Sequence, residues 1–263
     1  MRVNRGYTTD TTAGDRKIIF CEGGENSVDV IFYKTLLGNH ANKFEFKPLG
    51  SSNTLLCYAK TELIKNGFCL IDRDFRTENE VSKLEKKYSI KFLKVHEIEN
   101  YFLDKNYLSK LSYFRTGVDI DKKIEEIISS KRVRFLSDFL QFKINTHLDE
   151  FPRIPKLENK EIPEENEVIN LLLSKLDNNY EEVRNKISEI ENQLIQDWFK
   201  EYDDLTSELL PSKEIFKELK NKIFNNPPKE NDIAKDLALL MQQNHYIPST
   251  LEVVFEMDYK EQK

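Results

Sequence analysis

Through the first hundred residues, short apolar runs alternate with stretches of helical periodicity. Lys17-Ile18-Ile19-Phe20-Cys21 is closed by Gly23-Gly24, and Val28, Ile31, Phe32 and Leu36 follow at helical spacing. That pattern predicts strand, glycine turn, helix. A second short strand is expected at 44–47, and Leu55, Ala59 and Leu63 then repeat every fourth residue as a helix stripe that Gly67 ends. Phe68-Cys69-Leu70-Ile71 is a continuous apolar run of the kind a fully buried parallel strand shows. Val81, Leu84 and Tyr88 predict another helix, and 90–95 a fourth strand. Strands that alternate with helices in this way imply parallel pairing, hence an open α/β sheet.

Beyond residue 104 the strand signal fades, with one weak candidate at 251–255. Phe151-Pro152-Arg153-Ile154-Pro155 reads as a linker or an irregular excursion. After it, Leu176, Tyr180, Val183, Ile187, Ile190 and Leu194 form a heptad-like seam on a long, otherwise charged helix. Such a seam packs on its own domain or on a second helix from another chain. The expected organisation is a flexible N-terminal tail over 1–16, an α/β domain over 17–104, and a mainly helical region over 105–263 that serves dimerisation or partner docking.

The 263-residue composition, 33% charged and 39% hydrophobic, holds no apolar run near the ~20 residues of a membrane helix. The polar N-terminus has no apolar stretch of a secretory signal, so a cytoplasmic protein is the expectation. Cys21, Cys57 and Cys69 lack CxxC spacing, and two sit in apolar runs, which argues against a zinc site or a disulfide framework. The net charge of -6 is unevenly spread: +1 over 1–104, +3 over 105–158 and -10 over 159–263. The first 158 residues therefore remain compatible with an anionic ligand.

In an open α/β sheet, ligands bind at the carboxyl ends of the strands. The first strand runs out into Glu22-Gly23-Gly24-Glu25 and the third into Asp72-Arg73-Asp74. Residues i and i+2 of an extended segment share a side, and two carboxylates so placed repel each other unless a cation lies between them. Oxygen donors of this kind suit Mg2+ or Mn2+ and phosphate substrates. The fourth strand leads into His96-Glu97-Ile98-Glu99-Asn100-Tyr101, where Asn100 breaks the HExxH zinc pattern. No GxxxxGK[ST] occurs, so any nucleotide-driven step belongs to another protein.

The runs IIFCEGGENSVDVIFYKTLL, FCLIDRDF and VHEIENYFL resemble the TOPRIM domain of topoisomerases, bacterial primases and OLD-family nucleases. They look most like the TOPRIM effectors of PARIS anti-phage systems. The resemblance covers roughly 17–104. It implies a Mg2+- or Mn2+-dependent nuclease in which Glu22, Asp72 and Asp74 are catalytic and, with Glu99, hold the metal. Where many TOPRIM sequences place an acid four residues after the motif glutamate, this chain has Asn26, so Glu25 or Asp29 would lend support. Glu97 and Arg73 are further supporting candidates. Arg76 and the run Lys131, Arg132, Arg134 are candidates for holding nucleic-acid phosphates. By the same resemblance, an ATPase subunit acts in trans, the active form is a homodimer, and the substrate is host tRNA. OLD-like DNA cleavage and a non-catalytic binding subunit are the alternatives. Tyr101 and Tyr107 lie near the acids as conceivable nucleophiles.

Overall fold

The computed structural model describes residues 16–147, 164, 167–174, 181–202 and 209–255. The tail expected over 1–16 lies almost wholly outside them, as do the 151–155 linker and Leu176 and Tyr180 of the heptad seam. Two compact units account for the chain, one drawn from Met1–Ile71, Val81–Phe92 and Pro228–Lys263, the other from Asp72–Glu80 and Leu93–Pro227.

The first unit carries a four-stranded parallel sheet: β1 (Lys17–Cys21), β2 (Phe44–Pro48), β3 (Gly67–Ile71) and β4 (Ile90–Phe92), in the order β2-β1-β3-β4. The four strands expected over the first hundred residues are all present, with the fourth shorter than the sequence pattern implied. Phe20 pairs with Lys47 on one side and Cys69 on the other. Gly67 is dictated by the β1–β3 contact, because a Cβ there would lie 2.0 Å from the Ile18 carbonyl oxygen.

Alternation along the strands gives the sheet two apolar faces. One buries Phe20, Cys69, Ile71, Ile90 and Phe92 against Leu55 and Ala59 of α2 (Ser52–Ala59) and Val81 of α3 (Glu78–Lys87). Leu63, expected on the α2 stripe, falls past the helix end and is exposed. On the other face, Tyr33 of α1 (Val28–Leu37) stacks on Phe46 at 6.0 Å. That side is completed from far along the sequence. α9 (Glu230–Gln243) packs on α1, and α10 (Ser249–Val254) brings Phe255 edge-on to Tyr33 and Phe44, each at 5.5 Å. Residues 251–255 are expected as a strand, but 251–254 are helical and Phe255 caps the helix. Their apolar residues close an aromatic cluster, with the Val254 carbonyl accepting from Lys91 of β4 at 3.4 Å.

The second unit is helical: α4 (Lys105–Leu108), α5 (Ile120–His147), α6 (Val168–Ser174), α7 (Glu181–Tyr202) and α8 (Ser212–Ile223). α7 is the long seamed helix, and it packs on α5 within the chain. Ile187, Leu194 and Trp198 are buried, and Trp198 lies 5.5 Å from Phe139. No helix among the described residues is long and apolar enough to cross a membrane.

Candidate functional site

In the first unit, the corner after β1 is built around glycine. Gly23 has φ of 79°, and a Cβ on it would meet the Ser27 side chain at 2.5 Å. Reciprocal backbone bonds, Gly23 N–H to Gly50 O at 2.7 Å and Gly50 N–H to Gly23 O at 3.2 Å, tie this loop to the one after β2. The tie sets Glu22 at the start of α2, where its Oε2 accepts the Ser52 N–H at 3.1 Å. A helix N-terminus favours an ionised carboxylate there. Asp29 sits in the first turn of α1, which Ser27 caps. Burial pushes the Cys21 thiol up to about 12, and the charges of Asp29 and Glu22 push the same way. Asp29 and Glu22 are thus both within electrostatic reach of Cys21, whereas Glu25 is exposed.

In the second unit, the segment that follows β3 is held from several sides. Asp74 adopts φ of 50°, a left-handed conformation that Asp tolerates better than most residues, and its N–H donates to the His96 carbonyl at 2.9 Å. The Arg76 guanidinium closes the turn. Its Nη1 donates to Asp74 Oδ2 at 2.7 Å, to the Arg73 carbonyl at 3.2 Å and to the Asp72 carbonyl at 3.3 Å, while the group lies 5.0 Å over the Phe142 ring. Arg73 in turn donates to the carbonyls of Arg76 and Lys94 and pairs with Glu78 at 3.1 Å. Phe75 anchors the turn on α5, 5.6 Å from Phe139 and 5.9 Å from Phe142. Burial raises the Asp74 carboxyl above its usual range even though Arg76 opposes the shift.

Glu97 and Glu99 follow β4 in the same unit. Glu97 accepts the Lys213 N–H and the Ser212 hydroxyl at the start of α8, and it forms a reciprocal cap with Asn100. Glu99 is 6% exposed and stands 3.8 Å from the Lys213 ammonium. Burial holds the Glu97 carboxyl well above the ordinary range; the neighbouring Glu99 charge adds to this, Lys213 opposes it, and Asp74 contributes in the raising direction. Within the second unit, Glu97 thus feels the charges of both Glu99 and Asp74. Lys213 had no local sequence signal, since it comes from a helix more than a hundred residues away.

The donor chemistry fits a hard divalent cation. Every candidate ligand is a carboxylate, and the Glu99 repulsion that adds to the burial of Glu97 is what such an ion relieves. Among the described residues, no three His, Cys, Asp or Glu side chains are placed to hold an ion together. The basic candidates are engaged inside the second unit. Lys131 pairs with Glu214 and Glu218 at 3.7 Å each, Arg134 with Asp138 at 3.1 Å, and Arg132 lies 5.7 Å over Phe199. Tyr101 and Tyr107 are buried.

His96 is a polar core residue that the broken zinc pattern did not explain. Its ring is 5% exposed and 4.5 Å from Phe75, with Nδ1 left without a hydrogen-bond partner. Burial pushes its pKa down to about 3, with the Arg76 charge acting in the same direction. A base depressed in this way stabilises the fold fully above its unfolded value near 6.5, and that contribution is lost as the pH falls towards 3. Wild type should therefore lose about 2 kcal/mol between pH 7.5 and 5 relative to His96→Phe in urea unfolding. Asp74 and Glu97, raised in the fold, titrate with the opposite sign in both proteins, so the difference isolates His96. Parallel pH profiles would refute this assignment.

Comparison of the chain with known protein families, with curated proteins and with solved structures finds no match to any of them.

Proposed function

We propose that the chain is a metal-dependent phosphodiesterase of the TOPRIM kind, the nuclease effector of an anti-phage system, with tRNA as its substrate. One observation carries this reading. β1 and β3 are hydrogen-bonded parallel neighbours, and the chain leaves the carboxyl end of one as Glu22 and of the other as Asp72-Arg73-Asp74. That edge is where open α/β sheets bind ligands. The TOPRIM resemblance assigns Glu22, Asp72, Asp74 and Glu99 as the carboxylates for Mg2+ or Mn2+, and such an ion would neutralise charge developing on the scissile phosphate. The chain's own part is positional. The Gly23–Gly50 tie sets Glu22, Arg76 and the His96 carbonyl set Asp74, and Glu22 accepts a proton or orients water. Activity is released from an ATPase supplied in trans, and the active form is a dimer.

The test is incubation of wild type and Asp72→Asn with total tRNA and with plasmid DNA, in Mg2+, Mn2+ and EDTA. Metal-dependent cutting of tRNA, reduced at least ~100-fold in the variant, is the expected result. Cutting of plasmid alone would replace tRNA with DNA. Cutting that Asp72→Asn retains in full would overturn the site.

A further inference from the structure

The opposite edge of the sheet has a chemistry of its own. All four strands are parallel, so all four begin on one side, and each is entered from a lysine: Lys17 opens β1, Lys43 precedes β2, Lys65 lies two residues before β3, and Lys86-Lys87 lead into β4. Lys43, Lys65, Lys86 and Lys87 are exposed. The entries are tied together. Asn66 donates to the Arg16 carbonyl at 3.1 Å, Ile18 N–H to the Asn66 carbonyl at 3.0 Å, and Cys69 N–H to the Ser89 carbonyl at 2.9 Å. With neighbouring strands about 4.8 Å apart, the row spans roughly 14 Å. Between the entries to β3 and β4 lies a cavity of about 180 Å³ lined by Glu62, Ile64, Lys86, Lys87, Tyr88 and Ser89. Lys87 Nζ stands 5.2 Å over the half-buried Tyr88 ring.

We infer that this amino edge is a second nucleic-acid contact surface, which takes the phosphates of a single strand along the lysine row and a base at the Tyr88 cavity. The C-termini of α2 and α3 also end here, and a helix C-terminus favours the cations that Lys60, Lys86 and Lys87 bring. Lys65, in the loop before β3, has no such helix end of its own. Exposed lysines at neighbouring strand entries beside an aromatic ring match a polymer of phosphates and stacking bases better than an acidic peptide, which offers no ring to stack. Among the described residues, Glu62 is the one acid lining the cavity, at φ of 60°. It weakens binding and tunes it.

Binding of a labelled single-stranded RNA oligonucleotide is measured by anisotropy in EDTA, on the Asp72→Asn background, across a salt series. Neutralising Lys65, Lys86 and Lys87 together to Gln should weaken binding at least ~10-fold near 0.1 M salt and reduce the salt slope by ~2. Glu62→Asn, which suits the left-handed backbone, should tighten it by about threefold, a gain that misfolding does not produce. An unchanged triple variant, no gain in Glu62→Asn, or polyglutamate displacing the RNA as well as unlabelled RNA does would each overturn the proposal. The readout needs no metal and no cleavage. A chain that cuts nothing can still bind here, and a chain that cuts can still ignore these lysines.

Discussion

Truncation after Pro227 should leave no cooperatively folded sheet. Residues 228–255 supply Ile233, Ala234, Leu237, Ala238, Met241, Leu251, Val254 and Phe255 to the first unit, each no more than 6% exposed. Removing them loses their own burial and uncovers the α1 side of the sheet, including Tyr33, Phe44 and Phe46. At about 1.5–3 kcal/mol for each large side chain, the loss is of order 10 kcal/mol, which equals the whole stability of a typical domain. Thermal unfolding followed by circular dichroism should show no transition for the sheet unit, and the protein should aggregate through the bared aromatic face. A truncated protein with a sharp transition near that of wild type would show that α9 and α10 are dispensable. For the same reason, a fragment of residues 17–104, the boundary read from the sequence, should not fold alone.

Arg76→Ala is the single substitution expected to cost most at the candidate site. The side chain is 9% exposed, and its removal takes a donor from the Asp74 carboxylate, at 31% exposure, and from the carbonyls of Asp72 and Arg73, the last of which keeps the Arg76 N–H. Loss of about 2–3 kcal/mol is expected at pH 7.5, discounted for the exposure of Asp74. The deficit should shrink at pH 5. Asp74 is already raised by burial, and without Arg76 it rises further, so its neutral form relieves the unpaired charge as the pH falls. Arg76→Lys should recover less than half of the loss, because one ammonium does not reproduce a planar fork stacked on Phe142. Urea midpoints at the two pH values decide the matter. A deficit of equal size at both would assign the cost to lost packing rather than to Asp74.

The sheet was legible because its signals are local. Continuous apolar runs marked β1 and β3, and Gly23 marked the turn that sets Glu22. The acids at the strand ends were legible for the same reason, since they adjoin those runs directly. What was not legible depends on residues distant in sequence. Leu251 to Phe255 carry an apolar pattern that suits a strand, and only the aromatic cluster of Tyr33, Phe44 and Phe46 makes a helix the better way to bury Phe255. The partners of the Lys131–Arg134 run were not legible either, because nothing nearby in sequence reveals Glu214, Glu218 or Phe199. The same holds for Lys213, whose backbone and ammonium meet Glu97 and Glu99 only through tertiary packing.

The interleaving of the two units carries a consequence for biosynthesis. Strands β1 to β4 leave the ribosome well before the helices that cover one of their faces, with Leu93–Pro227 translated in between. At typical elongation rates that interval is roughly 7–27 s, long against the folding of a small helical unit. During it, Tyr33, Phe44 and Phe46 wait without Phe255. The nascent sheet is therefore a client for chaperones that recognise aromatic surface, and cellular yield should depend on them more steeply than the stability of the finished protein would suggest.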